Sequence, residues 1–388
     1  MKKHWQVYFL SLVFLLSGFW LARAFWWPYL FSPTDNSLAQ TGLSVERLNG
    51  STTANEHQPV IEVLAENLTI PWEVAFLPDE TLLISERPGR LVRLYSDSRI
   101  AVAVSGVAHV GEGGLLGLAL HPDFENNHWL YLYLTTREGV GLTNRVERYR
   151  FDQTNNSLSD QTIIIENIPG GQFHDGGRLA FGPDDLLYVT TGDAGQSDNA
   201  QATTSLAGKI LRLTDSGDIP AENPFTNATY SFGHRNPQGI AWDNQGRLWS
   251  SEHGPSGTQT GNDEINLIAV GGNYGWPVIV GNQTKEGMIA PMVESGRSDT
   301  WAPGDIAVVN DLVLFTGLRG TALYTARIVG NRLVDLTAHF DGEYGRLRVA
   351  VVDSTGEWLY LTTSNTDGRG SKRAGDDKLI RVSLELFE

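Results

Sequence analysis

The 388-residue sequence contains no cysteine. Disulfides and thiolate metal centres are therefore excluded, and the absence suits an exported protein. Positive charge is scarce too: 29 Lys and Arg face 45 Asp and Glu, a formal net charge of −16. Nucleic-acid binding needs clustered cations, so it is not expected as a function. No helix-period segment of useful length follows residue 60, which argues against a helical fold. The acidic loop from Ser251 to Pro277 does not follow the twelve-residue spacing of an EF-hand.

What is present points to strands and turns. Glycine occurs 42 times, tryptophan 11 and tyrosine 12, with 41% hydrophobic residues. Such punctuation belongs to a β-rich chain with an ample core. At the N-terminus, Lys2 and Lys3 precede an apolar run from Trp5 to Leu21, then Ala22-Arg23-Ala24 and the aromatic patch FWWPYLF. Residues 1–31 read as a signal peptide cut after Ala24 or as an uncleaved membrane anchor, the interfacial aromatics tilting toward the anchor. Either way the folded part is expected outside the cytoplasmic membrane, in the periplasm, free or anchored. Residues 32–58 read as a polar linker and 59–388 as the folded domain.

Within that domain one hairpin recurs six times: Trp72 to Arg87, Leu115 to Arg137, Gly177 to Asp193, Pro237 to Gly254, Gly304 to Gly320 and Gly345 to Asn365. Several copies are followed by a further apolar strand, such as NRVERYRF, KILRL or KLIRVSL. Six such units predict an all-β, six-bladed β-propeller of four-stranded antiparallel blades, in which radial repetition protects the sheet edges. Two stacked β-sandwiches are the rival architecture.

Hairpin geometry sends the start of the first strand and the end of the second to one rim. His174 and Asp193 share that rim in the third hairpin. Around it the repeat gathers Trp72, Arg87, Glu112, Arg137, Arg235, Asn236, Glu252, His253, Asp305, Arg319, Arg346, Arg348 and Asn365. One titratable base, several arginines and several carboxylates suit an anionic ligand and a hard cation. Taken singly each has a plain alternative: His174 as a turn cap, Arg346 and Arg348 as solubilising strand residues, Arg235-Asn236 before Pro237 as a rigid turn. The loop carrying Glu252, Asp263 and Glu264 offers oxygen ligands or is merely solvated.

Several blocks resemble a known family. PWEVAFLPDETLLISERPGRL, GEGGLLGLALHPDF, HDGGRLAFGPD, FGHRNPQGIAWD, EHGP with DEINLI, GGNYGWP and a late R-x-R are similar to the soluble quinoprotein glucose and aldose sugar dehydrogenases. That family consists of six-bladed propellers that bind pyrroloquinoline quinone (PQQ) and calcium, and the resemblance covers roughly residues 58 to 385. It implies oxidation of an aldose at C1 and electron delivery to an external acceptor that the sequence does not identify. His174 is implied as the general base, and Arg235 as the group beside the reactive quinone carbonyl. Asn236, Arg319, Arg346 and Arg348 are implied as cofactor-binding residues. The main-chain carbonyls of Gly254 and Pro255 are implied calcium ligands, with Glu252, Asp263 and Glu264 as further ones. Tyr274 and Trp276 are implied as aromatics facing cofactor or substrate.

Three departures stand out. Glu112 replaces a glutamine before the G-L-L-G motif, Arg319 replaces a lysine, and Phe173 stands where an acid would orient the base. Glu112, also expected at the cofactor, would repel an anionic quinone unless protonated or paired with an arginine. No motif assigns Asp193 a role. Competing functions are a metal-dependent lactonase-type hydrolase using Glu112, Glu252 and calcium, and a non-catalytic sugar- or protein-binding propeller.

Overall fold

The computed structural model describes residues 46–48 and 60–387, apart from 97, 140 and 256–260. The chain divides into Met1–Ser37 and Leu38–Glu388, and every described residue lies in the second unit. The expected signal or anchor segment therefore falls outside the described residues. Among those residues no helix is long and apolar enough to cross a membrane.

The hairpins predicted from the sequence form six sheets, five four-stranded and one five-stranded. The first blade runs through Pro71–Phe76, Leu82–Glu86, Arg90–Leu94 and Arg99–Ala103. In the second, Leu115–Leu120 and Trp129–Glu138 lead to Gly141–Asp152 and Ser157–Pro169. The third contains Leu179–Phe181, Leu187–Thr191, Lys209–Leu213 and Thr229–Phe232. In the fourth, Pro237–Trp242, Leu248–Glu252 and Glu264–Ile268 precede the short Val293–Glu294. DEINLI, expected in a loop, is thus the third strand of this blade.

The fifth blade, Pro303–Val309, Leu312–Gly317, Leu323–Val329 and Arg332–His339, takes Glu46–Leu48 as a parallel fifth strand. That addition comes from within the stretch read as a linker. The sixth blade, Leu347–Val352, Trp358–Thr363 and Leu379–Ser383, takes its outer strand from Ile61–Ala65 at the other end of the chain. Closing the last blade with a strand that precedes the first blade ties the two ends of the ring together, so neither end blade frays alone.

The hairpin turns explain the repeated Asp. Asp79 Oδ1 accepts the Thr81 N–H at 3.2 Å, Asp184 Oδ1 that of Leu186 at 3.3 Å, and Asp243 Oδ1 that of Gln245 at 2.9 Å. These side chains reinforce turns that backbone bonds also close, such as the Glu80 N–H to the Leu77 carbonyl at 3.0 Å. Near each sits a residue in the left-handed region: Glu80 (φ 65°), Asp185 (φ 59°), Gly246 (φ 73°). Core side chains are shared between blades: Leu116, Tyr131 and Tyr133 of the second pack with Leu179, Val189 and Leu211 of the third.

Buried polar side chains tie the inner strands of several blades together. Buried Arg178 forms an ion pair with Glu73, reaches Asp305 at 3.2 Å, and donates to the carbonyls of Gln238 (2.9 Å) and Gly304 (3.0 Å). One guanidinium thereby joins strands from four blades. The Trp72 ring lies 4.4 Å from the Arg178 guanidinium and 5.4 Å from that of Arg348. Trp72 and Asp305, grouped at the rim in the sequence reading, belong to this buried cluster.

Candidate active site

His174 occupies the glycine-rich loop that leads into the third blade. Its backbone is left-handed (φ 63°), a conformation that must be held by its surroundings in a residue with a Cβ. Its carbonyl receives the Ala194 N–H at 3.1 Å, and its own N–H donates to Glu112 Oε2 at 2.8 Å. Gly192 is required here, because a Cβ on it would lie 1.8 Å from the His174 carbonyl oxygen.

The His174 side chain is oriented by Asp193. Nδ1 lies 2.6 Å from Asp193 Oδ1, which also accepts the Gly195 N–H at 2.7 Å, while Oδ2 accepts Trp276 Nε1–H at 2.8 Å. Burial alone would raise the Asp193 pKa. The hydrogen bond and charge of His174, with the bonds from Gly195 and Trp276, outweigh burial and hold it below the ordinary carboxylate value. Asp193 is therefore ionised and can only accept, so Nδ1 is the nitrogen that carries a proton, and in the neutral ring Nε2 is the one with the lone pair. This is the arrangement of a general base with an orienting carboxylate.

Arginines occupy the other hairpin mouths of the same rim. The Arg235 guanidinium stands 5.3 Å from the centre of the Trp276 ring, and its Nη1 is 3.4 Å from the His253 carbonyl. Arg346 grips Asp367 through Nη2 (2.8 Å) and Nε (3.2 Å) and donates to the Leu318 carbonyl at 3.0 Å. Arg348 donates to Gln238 Oε1 at 2.6 Å. Burial, with Arg87 as the strongest like-charge influence, pushes its pKa down to about 9 against the pull of Asp367. The Arg319 side chain has no hydrogen-bond partner among the described residues and is half-buried.

Three buried donors also lack a protein partner among the described residues: Asn236 Nδ2, Arg348 Nε and Arg87 Nε. An unpaired buried donor is costly, about 1–3 kcal/mol each. Their concentration here marks a place built for an acceptor-rich, anionic ligand. Asn236 is otherwise fixed, its Oδ1 accepting the Gly176 N–H at 3.0 Å.

Residues 68–381 match the glucose/sorbosone dehydrogenase family model. The chain belongs to the glucose/sorbosone dehydrogenase family. It is similar to quinoprotein glucose dehydrogenase B of Acinetobacter calcoaceticus, 34% identical over 261 residues, 58% of this chain and 54% of that one. An aldose sugar dehydrogenase of Escherichia coli is 37% identical over 236 residues, 56% of this chain and 62% of that one. These matches span less than two thirds of either relative. The PQQ-bound form of an aldose sugar dehydrogenase from Streptomyces coelicolor superposes with a TM-score of 0.78 at 38% identity, covering 85% of this chain and 99% of that one.

Against this family frame, several expected residues take other places. Tyr274 does not face the site: it is 4% exposed, stacks on His234 at 4.7 Å, and its hydroxyl donates to the Leu267 carbonyl at 2.7 Å. The Glu252 carboxylate is engaged by His234 Nδ1 at 2.8 Å and by the Arg235 N–H, so it braces the Arg235 turn. Asp263 accepts from Gly254 N–H (2.8 Å), the Thr300 hydroxyl (2.8 Å), Trp301 N–H (2.7 Å) and Ala302 N–H (2.9 Å). It shapes the Gly254–Pro255 segment and has little capacity left for a metal. Glu264 lies opposite Glu294 across two strands, accepts the Gly281 N–H at 3.0 Å, and has Asn266 at 3.2 Å. Among the described residues no group of three or more His, Asp or Glu side chains forms a metal cluster.

Arg87, placed at the rim by its position after the second strand of the first hairpin, is buried and donates to the Gly111 carbonyl. One residue escaped the sequence reading. Arg369 comes from the loop after Trp358–Thr363 and pairs with Glu112 at 2.5 Å. Nothing in its local sequence pointed there. A groove of about 530 Å³ lined by Tyr188, Arg212, Tyr230 and Trp242 lies at the opposite rim, beside the Pro183–Asp184 turn. His174, Arg235, Arg346 and Arg348 do not line it.

Proposed function

We propose that this protein is a PQQ- and calcium-dependent dehydrogenase that oxidises the anomeric C1 hydroxyl of an aldose to a lactone and passes the electrons to an external acceptor. The observation that carries the reading is the His174–Asp193–Trp276 chain set among buried arginines with unpaired donors. Similarity to the quinoprotein relatives and to the PQQ-bound structure supports the cofactor.

The residues fit the group. Arg346, Arg348 and Arg319 are the guanidinium forks that would receive its carboxylates, and Asn236 and Arg235 would flank its quinone oxygens. The carbonyls of Gly254 and Pro255 would hold the calcium, with Asp263 fixing the Gly254 amide. Glu264, beside Glu294 whose Oε2 is buried without a partner among the described residues, is the place for a further calcium. When bound, PQQ supplies the two-electron acceptor for a hydride leaving C1, and calcium supplies a Lewis acid beside it.

This chain's own part is positional and acid–base. His174 Nε2 takes the proton of the C1 hydroxyl as the C1–H bond gives up its electron pair, leaving a C1=O lactone. Asp193 keeps Nδ1 protonated and stabilises the imidazolium that forms. Arg235, stacked on Trp276, stabilises negative charge developing at the acceptor side. Trp276 fixes Asp193 and offers an apolar face to the sugar ring.

A hydrolase working through Glu112 and Glu252 fits less well, because those carboxylates are committed to Arg369 and to His234 with the Arg235 amide. We read the N-terminal run as an export signal or anchor that places the propeller in the periplasm. The test is titration of the full-length protein with PQQ and calcium, followed by dye reduction with a panel of aldoses. Saturable binding near one PQQ per chain with sugar-dependent turnover is expected. Absence of PQQ binding would refute the proposal.

A further inference from the structure

We propose that Arg369 is a positioning residue whose ion pair with Glu112 both neutralises that carboxylate and holds the turn that presents His174. The proposal rests on the dehydrogenase reading and assigns a task to two residues outside the base–orienter chain.

The geometry links three separate segments. Glu112 precedes the second blade, His174 precedes the third, and Arg369 follows the second strand of the sixth. Glu112 Oε2 accepts the His174 N–H at 2.8 Å and Oε1 accepts Arg369 Nη1–H at 2.5 Å. The Glu112 N–H donates to the Gln172 carbonyl at 3.0 Å, so the two loops are joined twice. The Arg369 guanidinium also stands 5.5 Å from the centre of the Phe173 ring, immediately before the base. At its own root, the Arg369 N–H donates to Asp367 Oδ1 at 2.9 Å, and Asp367 Oδ2 holds Arg346 at 2.8 Å. A continuous chain thus runs from Arg346, assigned to the cofactor, to the backbone of the base.

Charge explains why the pair is needed. Burial would raise the Glu112 pKa, but Arg369, His174 and the His174 N–H reverse this and hold it well below the carboxylate range. Glu112 is therefore an anion at the mouth of a site meant for an anionic ligand. Arg369 cancels that charge locally, and the carboxylate can then serve as a strong acceptor for the amide of a left-handed residue. A glutamine at 112 would accept the same amide without a counter-ion. Glu112 and Arg369 are therefore interdependent, and losing the arginine alone should be worse than losing both charges.

The pair is only partly buried, with side-chain exposures of 21% for Glu112 and 35% for Arg369. Its contribution to global stability is accordingly small. That separates the proposed role from a structural one. The test uses full-length Arg369→Gln, Glu112→Gln and the double variant beside wild type, with three readouts. These are PQQ affinity in the presence of calcium, kcat and KM for an aldose, and amide hydrogen exchange of the 171–176 segment without cofactor.

Arg369→Gln is expected to raise the PQQ Kd by about tenfold or more, lower kcat, and speed exchange in the segment, with little change in thermal midpoint. The double variant is expected to recover to within about threefold of wild type in affinity, since no unpaired charge remains. Unchanged affinity and exchange in Arg369→Gln would overturn the proposal, as would a double variant no better than Arg369→Gln. Wild type is the control for the dehydrogenase reading itself. If it fails to bind PQQ, that reading falls, while the exchange data still decide whether Arg369 holds the His174 turn.

Discussion

Replacing Asp193 with asparagine removes one charge and changes almost no volume, yet the structure predicts a large effect. Asp193 receives three donors: His174 Nδ1–H, Gly195 N–H and Trp276 Nε1–H. A carboxylate accepts all three. An asparagine has one acceptor oxygen, so its amide group must face either His174 or Trp276. If it faces His174, Nδ1 becomes the acceptor, the proton moves to Nε2, and the base is lost. If it faces Trp276, two donors collide and the indole shifts, releasing the Arg235 platform. Either way the imidazolium formed in the reaction loses its counter-ion. A full charge pair at about 4 Å is worth roughly 4 kcal/mol at an effective dielectric near 20, an upper limit for this site. Loss of a positioned general base lowers rates by about 10²–10⁴-fold. We therefore expect Asp193→Asn to lower kcat by about 10²–10⁴-fold with PQQ affinity within about threefold of wild type. Steady-state kinetics and a PQQ titration on one preparation measure both. A kcat reduced less than about tenfold, or loss of affinity in step with kcat, would refute the assignment.

Three other outcomes follow from the same structure. Trp276→Phe deletes one hydrogen bond to an ionised carboxylate, worth about 1.5–3 kcal/mol, and should lower kcat by about tenfold or more in steady-state assays. Arg178→Met leaves Glu73 and Asp305 buried without their shared partner, and should destabilise the fold by about 3–5 kcal/mol in urea titrations. Asp175 is buried, which pushes its pKa from an ordinary 3.8 to about 6. The folded state therefore binds a proton that the unfolded chain has released, and stability falls as pH rises from about 4 through about 6. Asp175→Asn should flatten that part of the profile relative to wild type in thermal melts at pH 4.5 and 7.5.

The propeller was legible because its signals are local and repeated. A Pro-Asp or Asp-x-x-Gly turn between two apolar strands recurs, and the turn Asp side chains do the same job in the first, third and fourth copies. Strands defined by distant pairing were harder to see. Ile61–Ala65 reads as an ordinary short apolar stretch, and only the closure of the ring assigns it to the last blade. DEINLI looks like a loop because its acids dominate the pattern, although its apolar residues complete the fourth blade.

Among the candidate site residues, His174, Arg235, Asn236, Arg346 and Arg348 were proposed from their motifs. Asp193 shared the hairpin mouth with His174 in the sequence, yet no motif singled it out; its role depends on a 2.6 Å contact across a loop. Tyr274 was misread because its neighbours Asn273, Gly275 and Trp276 form the motif, while its ring turns inward onto His234. Arg369 was invisible because 257 residues separate it from Glu112. The anomaly that did show in the sequence was Glu112 itself, and an arginine partner was one of the two resolutions it demanded.

The central claim is that His174 removes the sugar's proton while other residues hold the cofactor. Rapid mixing of PQQ- and calcium-loaded wild type and His174→Gln with an aldose, followed by the cofactor's absorbance, tests it in a single turnover. The account predicts equal PQQ binding by both proteins and cofactor reduction at least about 10²-fold slower in His174→Gln. Reduction at the wild-type rate in the variant would contradict it.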